Sequence, residues 1–325
     1  MLLTETNAVS GTAVVPRFPL ALGGELRDVR IAYEVHGENH LPAIVVLGGI
    51  SAGRYITPGW WADMVGAGRP VDTDQYCVIG IDFIGGCGAS TRAAHNDFPA
   101  VSTSDQAHAV RVVLDALAIG RLACFIGSSY GGMVALAFAE RYPARVARVI
   151  AISAPHQTHP MATALRSLQR RTIRLGLQTG RVNEAVAIAR GVAMTTYRTA
   201  AEFAQRFDTA ATFDGSAWRH PVESYIEDRG RDFARRFDAA AFLCLSQSTD
   251  LHSVDPARIR VPVTLVGVDS DTLVPVSQLR QLATLLGARA SIEIISSIYG
   301  HDAFLKEVSA VSTILRSTLS QDVAS

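Results

Sequence analysis

Short apolar runs alternate with helix-patterned stretches along this chain, and that alternation leaves few folds open to it. AIVVLGG (43–49) and YCVIGID (76–82) are continuous apolar runs that end in glycine or aspartate. Side chains on a strand alternate between its two faces, so a run that is apolar at every position is buried on both. LACFIG (122–127) reads as another buried strand, and VARVIAIS (146–153), VPVTLVGVD (261–269) and SIEIIS (291–296) read as further strands. Helical periods lie between them. TSDQAHAVRVVLDALAIG (103–120) opens on threonine and serine and closes on glycine, MVALAFAERYP (133–143) is stopped by Pro143, and VSQLRQLATLLG covers 276–287. A last helix is expected from about Asp302 onward. VRIAYEVHG (29–37) alternates instead and reads as a half-buried strand. Strands alternating with helices predict an α/β fold, a mostly parallel sheet covered on both faces.

Residues 156–245 break the pattern. MATALRSLQRRTIRLGL and RVNEAVAIARGVAMTTYRTAAEFAQRF are helical, and β-branched runs are few. This segment holds thirteen Arg against nine Asp plus Glu. It predicts a helical lid, 156–245, inserted into a core domain made of 1–155 and 246–325. A chain of 325 residues, 48% hydrophobic, is long enough to bury one large core and carry such an insertion. The formal net charge is zero, which argues against nucleic acid as a partner. A single lysine, Lys306, stands against 29 arginines; the skew reads as codon bias and carries no function. Cys77, Cys87, Cys124 and Cys244 form no CxxC pair, so neither a metal site nor a redox motif is expected, and Cys77 and Cys124 read as buried small hydrophobes. The opening MLLTETNAVSGTAVVPRF has no basic start and no continuous apolar stretch, and no run reaches the ~18 apolar residues of a spanning helix. A cytoplasmic protein without a membrane partner is therefore expected.

Chemistry enters at Gly127-Ser128-Ser129-Tyr130-Gly131, a G-x-S-x-G pentapeptide. Alone it is a glycine-rich turn. Directly after an expected strand and before an expected helix, it predicts the nucleophile elbow of an α/β-hydrolase fold, with Ser129 as nucleophile. The backbone N–H of Tyr130 then faces a developing oxyanion. A second donor should come from the loop after strand 43–49, where the N–H of Ile50 in Gly48-Gly49-Ile50-Ser51 is the candidate. A serine hydroxyl needs a base, and in this fold the order along the chain is Ser, acid, His. His301, in SSIYGHDAF, follows the last strand. His36, His40, His95 and His108 precede the serine, while His156, His159, His220 and His252 fall in or beside the insertion and read as surface residues. The acid should follow the penultimate strand, where VGVDSDTLVP offers Asp269 and Asp271.

From Gly59 to Phe304 the chain resembles one family, the homoserine O-acyltransferases. The resemblance is carried by GWWADMVGAGRPVDTDQYCVI before the third core strand, FIGGCGAST (83–91), SSYGGM (128–133), TYR (196–198) with FAQRF, VESYIEDRGRDFARRFDAAAFL (222–243), DTLVP (271–275) and GHDAF (300–304). It implies acyl transfer from acyl-CoA through an acyl-serine to an amino-acid hydroxyl, a step of methionine biosynthesis, with CoA thioester as co-substrate and no resident cofactor. The D-x-aliphatic-x-P pattern of the family selects Asp271 over Asp269. The resemblance further implies that Asp302 pairs with the acceptor's ammonium, that Arg190 clamps its carboxylate, that Tyr197 adds a hydroxyl contact, and that the protein is a homodimer through its lid helices. Members that use succinyl-CoA tend to carry arginine two residues after the triad aspartate. Leu273 stands there, which predicts acetyl-CoA as donor.

Two departures bear on the acceptor. The oxyanion loop reads GGIS where the family favours an alanine-leucine-threonine type of sequence, and Tyr130 replaces the usual methionine. Serine is thus an alternative to homoserine, and succinyl an alternative to acetyl. Two further readings use the same residues: an esterase or thioesterase, with water as acceptor, and a binding protein with an unused elbow. Arg190 and Asp302 separate the transferase from the esterase, because a plain esterase has no need to bind a zwitterion. The complete set Ser129, Asp271 and His301 argues against the binding protein.

Overall fold

The computed structural model describes residues 8–93 and 98–320. The first seven residues of the N-terminal reading and His95 therefore lie outside the described residues. The chain opens on β1 (Val9–Pro19), β2 (Glu25–His36), β3 (Ala43–Leu47) and β4 (Cys77–Ile81), then runs through α1 (Thr103–Ala116), β5 (Cys124–Ser128), α2 (Tyr130–Arg141) and β6 (Val149–Ile152). The lid follows as α3 (Pro160–Thr179), α4 (Val182–Tyr197), α5 (Ala200–Phe207), the short β7 (Thr212–Phe213) and β8 (Trp218–Arg219), α6 (Pro221–Ala234) and α7 (Ala239–Asp250). The core resumes with β9 (Val263–Val268), α8 (Val276–Leu286), β10 (Ala290–Ile295) and α9 (Val308–Ser320).

Eight strands form one sheet in the order β1-β2-β4-β3-β5-β6-β9-β10. β4, β3, β5, β6, β9 and β10 pair in parallel, and β1 and β2 add an antiparallel edge; β7 and β8 form a separate antiparallel pair in the lid. The continuous apolar runs divide by strand period, as expected of a sheet covered on both faces. On β3, Ile44 and Val46 face one layer while Val45 and Leu47 face the other. On β5, Cys124 and Ile126 face the first layer and Phe125 the second. Each such side chain, fully buried, contributes about 1.5–3 kcal/mol. Cys77 and Cys124 are fully buried in these layers, as expected of small hydrophobes.

Three differences from the sequence reading have physical causes. The helical stretch after Arg181 is two helices, because Thr199 leaves the helical conformation and its side chain caps α5 by accepting from Glu202 N at 3.1 Å. The boundary expected at 245 falls inside α7, whose Leu245, Ser246, Ser248 and Thr249 are buried. Asp302 belongs to a 3₁₀ turn, Gly300–Leu305, and the true helix begins at Val308. Among the described residues no helix is long and apolar enough to cross a membrane.

Candidate active site

β5 enters a turn too tight for ordinary residues. A Cβ on Gly127 would lie 2.2 Å from the carbonyl oxygen of Gly131, and one on Gly131 would lie 2.4 Å from that of Leu47. Between them Ser129 is held at φ 52°, ψ −120°, a conformation that costs a non-glycine residue about 1–3 kcal/mol. Ser129 N donates to Ile152 O (2.8 Å) and Gly131 N to Gly48 O (2.9 Å), so both neighbouring strands hold the turn in place. Ser129 is the N-cap of α2. The N–H of Tyr130, first in that helix, has no carbonyl one turn back to bond and carries the positive end of the helix dipole. Ile50 and Tyr130 both line the cavity that holds Ser129. The Tyr130 side chain turns away: its ring stands edge-on to Phe83, and its hydroxyl meets Ser248 Oγ at 2.6 Å.

The late loops complete the arrangement. His301 Nε2 lies 2.8 Å from Ser129 Oγ, and its Nδ1 lies 2.7 Å from Asp271 Oδ2. Asp271 Oδ1 accepts from the N–H groups of Leu273 (2.9 Å) and Val274 (3.0 Å), which fixes the carboxylate plane. Asp269, two residues earlier, accepts from Ser296 Oγ and Ser297 N and ties the end of β9 to the end of β10. These bonds hold the Asp269 carboxyl below the usual range, as expected of a turn-forming residue. Burial pushes the His301 imidazole down, but the charge and hydrogen bond of Asp271, helped by the charge of Asp302, outweigh it and leave its pKa above the ordinary 6.5. In this arrangement Ser129 can lose its proton to His301 as it attacks a carbonyl, with Asp271 stabilising the imidazolium.

Among the described residues His159 also lines the inner cavity, while four other histidines are engaged or buried away from the triad. His36 meets Glu34 at 2.8 Å, and His108 meets Tyr142 at 2.7 Å. His156 and His252, read from sequence as surface residues, are buried. His252 joins Thr103 Oγ1 to the Pro155 carbonyl where the lid meets the core. Cys87 lines the cavity mouth, but burial pushes its thiol up to about 11, so it is a poor nucleophile.

Two cavities meet over the elbow. The inner one, about 80 Å³, contains Ser129 and His301 and is walled by Met133, Ala162, Leu273 and Val274. The outer one, about 480 Å³, opens past Arg54, Arg236 and Lys306. Arg190, Tyr197 and Asp302 line both and so stand at the junction. Arg190 packs its guanidinium over the rings of Phe233 (4.8 Å) and Tyr197 (5.4 Å), and among the described residues it makes no ion pair. The Tyr197 ring lies 5.9 Å from that of His301, and burial keeps its hydroxyl protonated. Asp302 already has a neighbour: its Oδ2 accepts from Arg198 Nε at 3.4 Å, and Arg198 also pairs with Glu202. Sequence reasoning missed that Arg198 contact, and it missed Arg166 of α3, which lines the inner cavity. Arg198 stood inside the TYR motif without its contact to Asp302 being legible, and no local signal marks Arg166.

The fold and the site together define a protein of the α/β-hydrolase class with a serine nucleophile elbow, and residues 42–308 match the alpha/beta hydrolase fold family. Within that class the chain belongs to the homoserine O-acyltransferase family. It is 40% identical over 319 residues to a homoserine O-succinyltransferase of Xanthomonas campestris, covering 96% of this chain and 84% of that one. It is 35% identical to a serine O-succinyltransferase of Frateuria aurantia, covering 92% and 95%. It is 34% identical to a homoserine O-acetyltransferase of a Mycobacterium species, covering 95% and 94%. Among solved structures, the homoserine O-acetyltransferase of Bacillus anthracis superposes with a TM-score of 0.88 at 18% identity, covering 96% of this chain and 97% of that one. Esterase E22 superposes with a TM-score of 0.88 at 20% identity, covering 96% and 100%. At such identities these likenesses speak for the fold alone.

Turnover of a chromogenic acetyl ester provides two checks on the site. Asp271→Asn should lower kcat by roughly 10⁴-fold, the loss typical of a triad aspartate, while Asp269→Asn should change it far less. The reverse ranking would assign the acid to Asp269. The acidic limb of kcat/KM reports His301 losing its proton, and should lie above pH 6.5 because that pKa is raised. Asp302→Asn removes a negative charge that favours the imidazolium, so the limb should move to lower pH; an unmoved limb would show that Asp302 does not act on His301.

Proposed function

We propose that the protein is an acyl-CoA-dependent O-acyltransferase that acylates the side-chain hydroxyl of L-homoserine. The observation that carries this reading is the position of Arg190 and Asp302, a cation and an anion at the junction of the two cavities, beside Ser129 and His301. An ester substrate has no use for such a pair. A zwitterionic amino acid at the junction would place its carboxylate against the Arg190 fork and its ammonium against Asp302, with its hydroxyl directed at the inner cavity. Tyr197, packed beneath Arg190, adds a hydroxyl contact.

The reaction then has two halves. His301 takes the Ser129 proton, and Oγ attacks the thioester carbonyl while the oxyanion faces the N–H groups of Tyr130 and Ile50. The tetrahedral adduct collapses, the C–S bond breaks, and His301 returns the proton to the CoA sulfur. The acceptor hydroxyl enters, loses its proton to His301, attacks acyl-Ser129 and leaves as the ester, restoring the serine. This is a ping-pong sequence. CoA would lie in the outer cavity, where Arg236 and Lys306 suit its phosphates. No resident cofactor is needed. With CoA and a free amino acid as substrates we place the protein in the cytoplasm, on the route to methionine.

Leu273, buried in the inner wall, supports acetyl-CoA as donor, since an apolar wall gives a distal carboxylate no partner. Succinyl-CoA is the second reading, and the specific observation in its favour is the arginine, Arg166, in the same cavity. Serine is shorter than homoserine by one methylene, a difference worth only about 1–3 kcal/mol in a pocket. For the assembly we propose a homodimer through the lid. Met161, Leu168 and Leu175 recur every seven residues on one face of α3 and are exposed, as is Ile188 of α4.

An acceptor panel tests the activity. With acetyl-CoA or succinyl-CoA as donor, homoserine should release CoA thiol and yield an O-acyl product by mass, serine should react more slowly, and Ser129→Ala should form neither product nor acyl-enzyme. Hydrolysis unaffected by either amino acid would make the protein a thioesterase. Light scattering tests the assembly: the wild type should have twice the mass of the chain, and Leu168→Glu should give monomers. An unchanged mass in Leu168→Glu would place the interface elsewhere.

A further inference from the structure

Arg166 occupies a place where the fold calls for an apolar residue. α3 turns Ala162, Gln169, Ile173 and Gly176 inward, and position 166 falls on that same face, one turn after Ala162. Its side chain is only 16% exposed. A cation so placed needs a counter-charge. Asp250, at the end of α7, supplies one: Arg166 Nε donates to Asp250 Oδ1 at 2.7 Å. But Asp250 is shared. Its Oδ2 also pairs with Arg170 Nη1 at 2.5 Å, and Oδ1 also accepts from the Thr163 hydroxyl at 2.9 Å. One carboxylate serves two guanidiniums, so the cluster keeps a net positive charge. Arg166 Nη2 is buried and stands 2.6 Å from Oδ1 at an angle that makes no hydrogen bond.

That surplus charge faces the chemistry. Arg166 lines the inner cavity with Ser129 and His301 and, unlike Arg190, does not reach the outer one. Its field is felt at His301 and at Tyr197, in both cases favouring the less positive form of the side chain. Met133, Ala162, Leu273 and Val274 give the cavity apolar walls, with Thr158, His159 and Thr249 as polar edges and Arg190 and Asp302 at its mouth. A cavity with apolar sides, a nucleophile at one side and an under-compensated arginine in its wall fits a short methylene chain ending in an anion.

We propose that Arg166 receives the distal carboxylate of a dicarboxylic acyl group carried on CoA and so selects a succinyl-type donor. The inference rests on the acyltransferase reading above and, for the donor, replaces the acetyl-CoA drawn from Leu273 with the second reading given there. Leu273 becomes a wall along which the methylenes lie rather than the element that excludes them. Arg190, at the junction, is left for the acceptor's carboxylate, so the two arginines divide the two anions between them. The guanidinium fork matches a carboxylate in geometry, and Asp250 holds Arg166 in place without neutralising the cluster.

The test uses the first half-reaction alone, with no amino acid present. Acylation of Ser129 is followed by CoA thiol release and intact mass, with succinyl-CoA and acetyl-CoA as probes, in wild type, Arg166→Met and Arg166→Lys. The wild type should acylate faster from succinyl-CoA. Arg166→Met should lose on the order of 100-fold with succinyl-CoA, as truncating one partner of a buried charge pair does, and no more than about threefold with acetyl-CoA. Arg166→Lys keeps the charge and its pairing with Asp250 but lacks the fork, and should fall between. It also serves if the methionine variant does not fold. A wild type that prefers acetyl-CoA overturns the assignment, and so does an equal loss with both donors. Acylation from neither thioester overturns the acyltransferase reading together with it. Normal succinyl preference with no transfer to homoserine overturns only the acceptor reading and leaves Arg166 in place.

Discussion

The site depends on one strained residue. Ser129 at φ 52° stands between a strand that ends Gly127-Ser128 and a helix that begins Tyr130-Gly131-Gly132, and the turn survives because Gly127 and Gly131 remove the Cβ atoms that would collide with backbone. The strain aims the hydroxyl out of the sheet and brings the first helical N–H beside it. It is offset by what surrounds it: the buried sheet layers on both sides and the ties from Ser129 N to β6 and from Gly131 N to the loop after β3. His301 and Asp271 come from loops at the same edge of the sheet, since parallel strands all deliver their following loops to one side. The convergence of residues 129, 271 and 301 is therefore a consequence of strand direction.

The lid adds charge where the core adds geometry. Its arginines are sorted by their partners. Arg198 pairs with Glu202, which Arg206 also uses, and with Asp302; Arg190 lies over aromatic faces with no carboxylate partner among the described residues; and Arg166 shares Asp250 with Arg170. An arginine with its own carboxylate supports structure. One without a full counter-charge, at a cavity wall, has binding energy left for a substrate anion. The same fold without such cations would present the same nucleophile to any ester that fits, and esterases share this architecture. On the proposed reading, the difference between hydrolysis and transfer lies in how well the insertion holds an acceptor at the junction of the cavities and keeps water from taking its place.

Much of this was legible along the chain. Continuous apolar runs can be buried only on both faces, so they announced the parallel strands to within three residues at each end. The pentapeptide, read with its neighbours, announced Ser129, and the order of strands left His301 as the histidine after the last of them. Asp271 could be separated from Asp269 by sequence only through family resemblance. In the fold the reason is plain: Asp269 is occupied by Ser296 and Ser297, while Asp271 faces the imidazole. The antiparallel β1 escaped notice because its buried positions are few and its outer face is wet, which leaves no apolar run to read.

The sequence by itself determined the parallel strands, the elbow and the helical character of the insertion, because each of these is encoded by local spacing: apolar runs on strands, period near four on helices, glycines at a tight turn. Only the tertiary structure decided which charges act together. Arg166 and Asp250 are 84 residues apart, Arg198 and Asp302 are 104 apart, and no local pattern can tell a paired arginine from one with charge to spare. Pairing depends on distance through space and on burial, which sets how strongly a charge is felt. Those two quantities exist only once the lid has closed over the sheet.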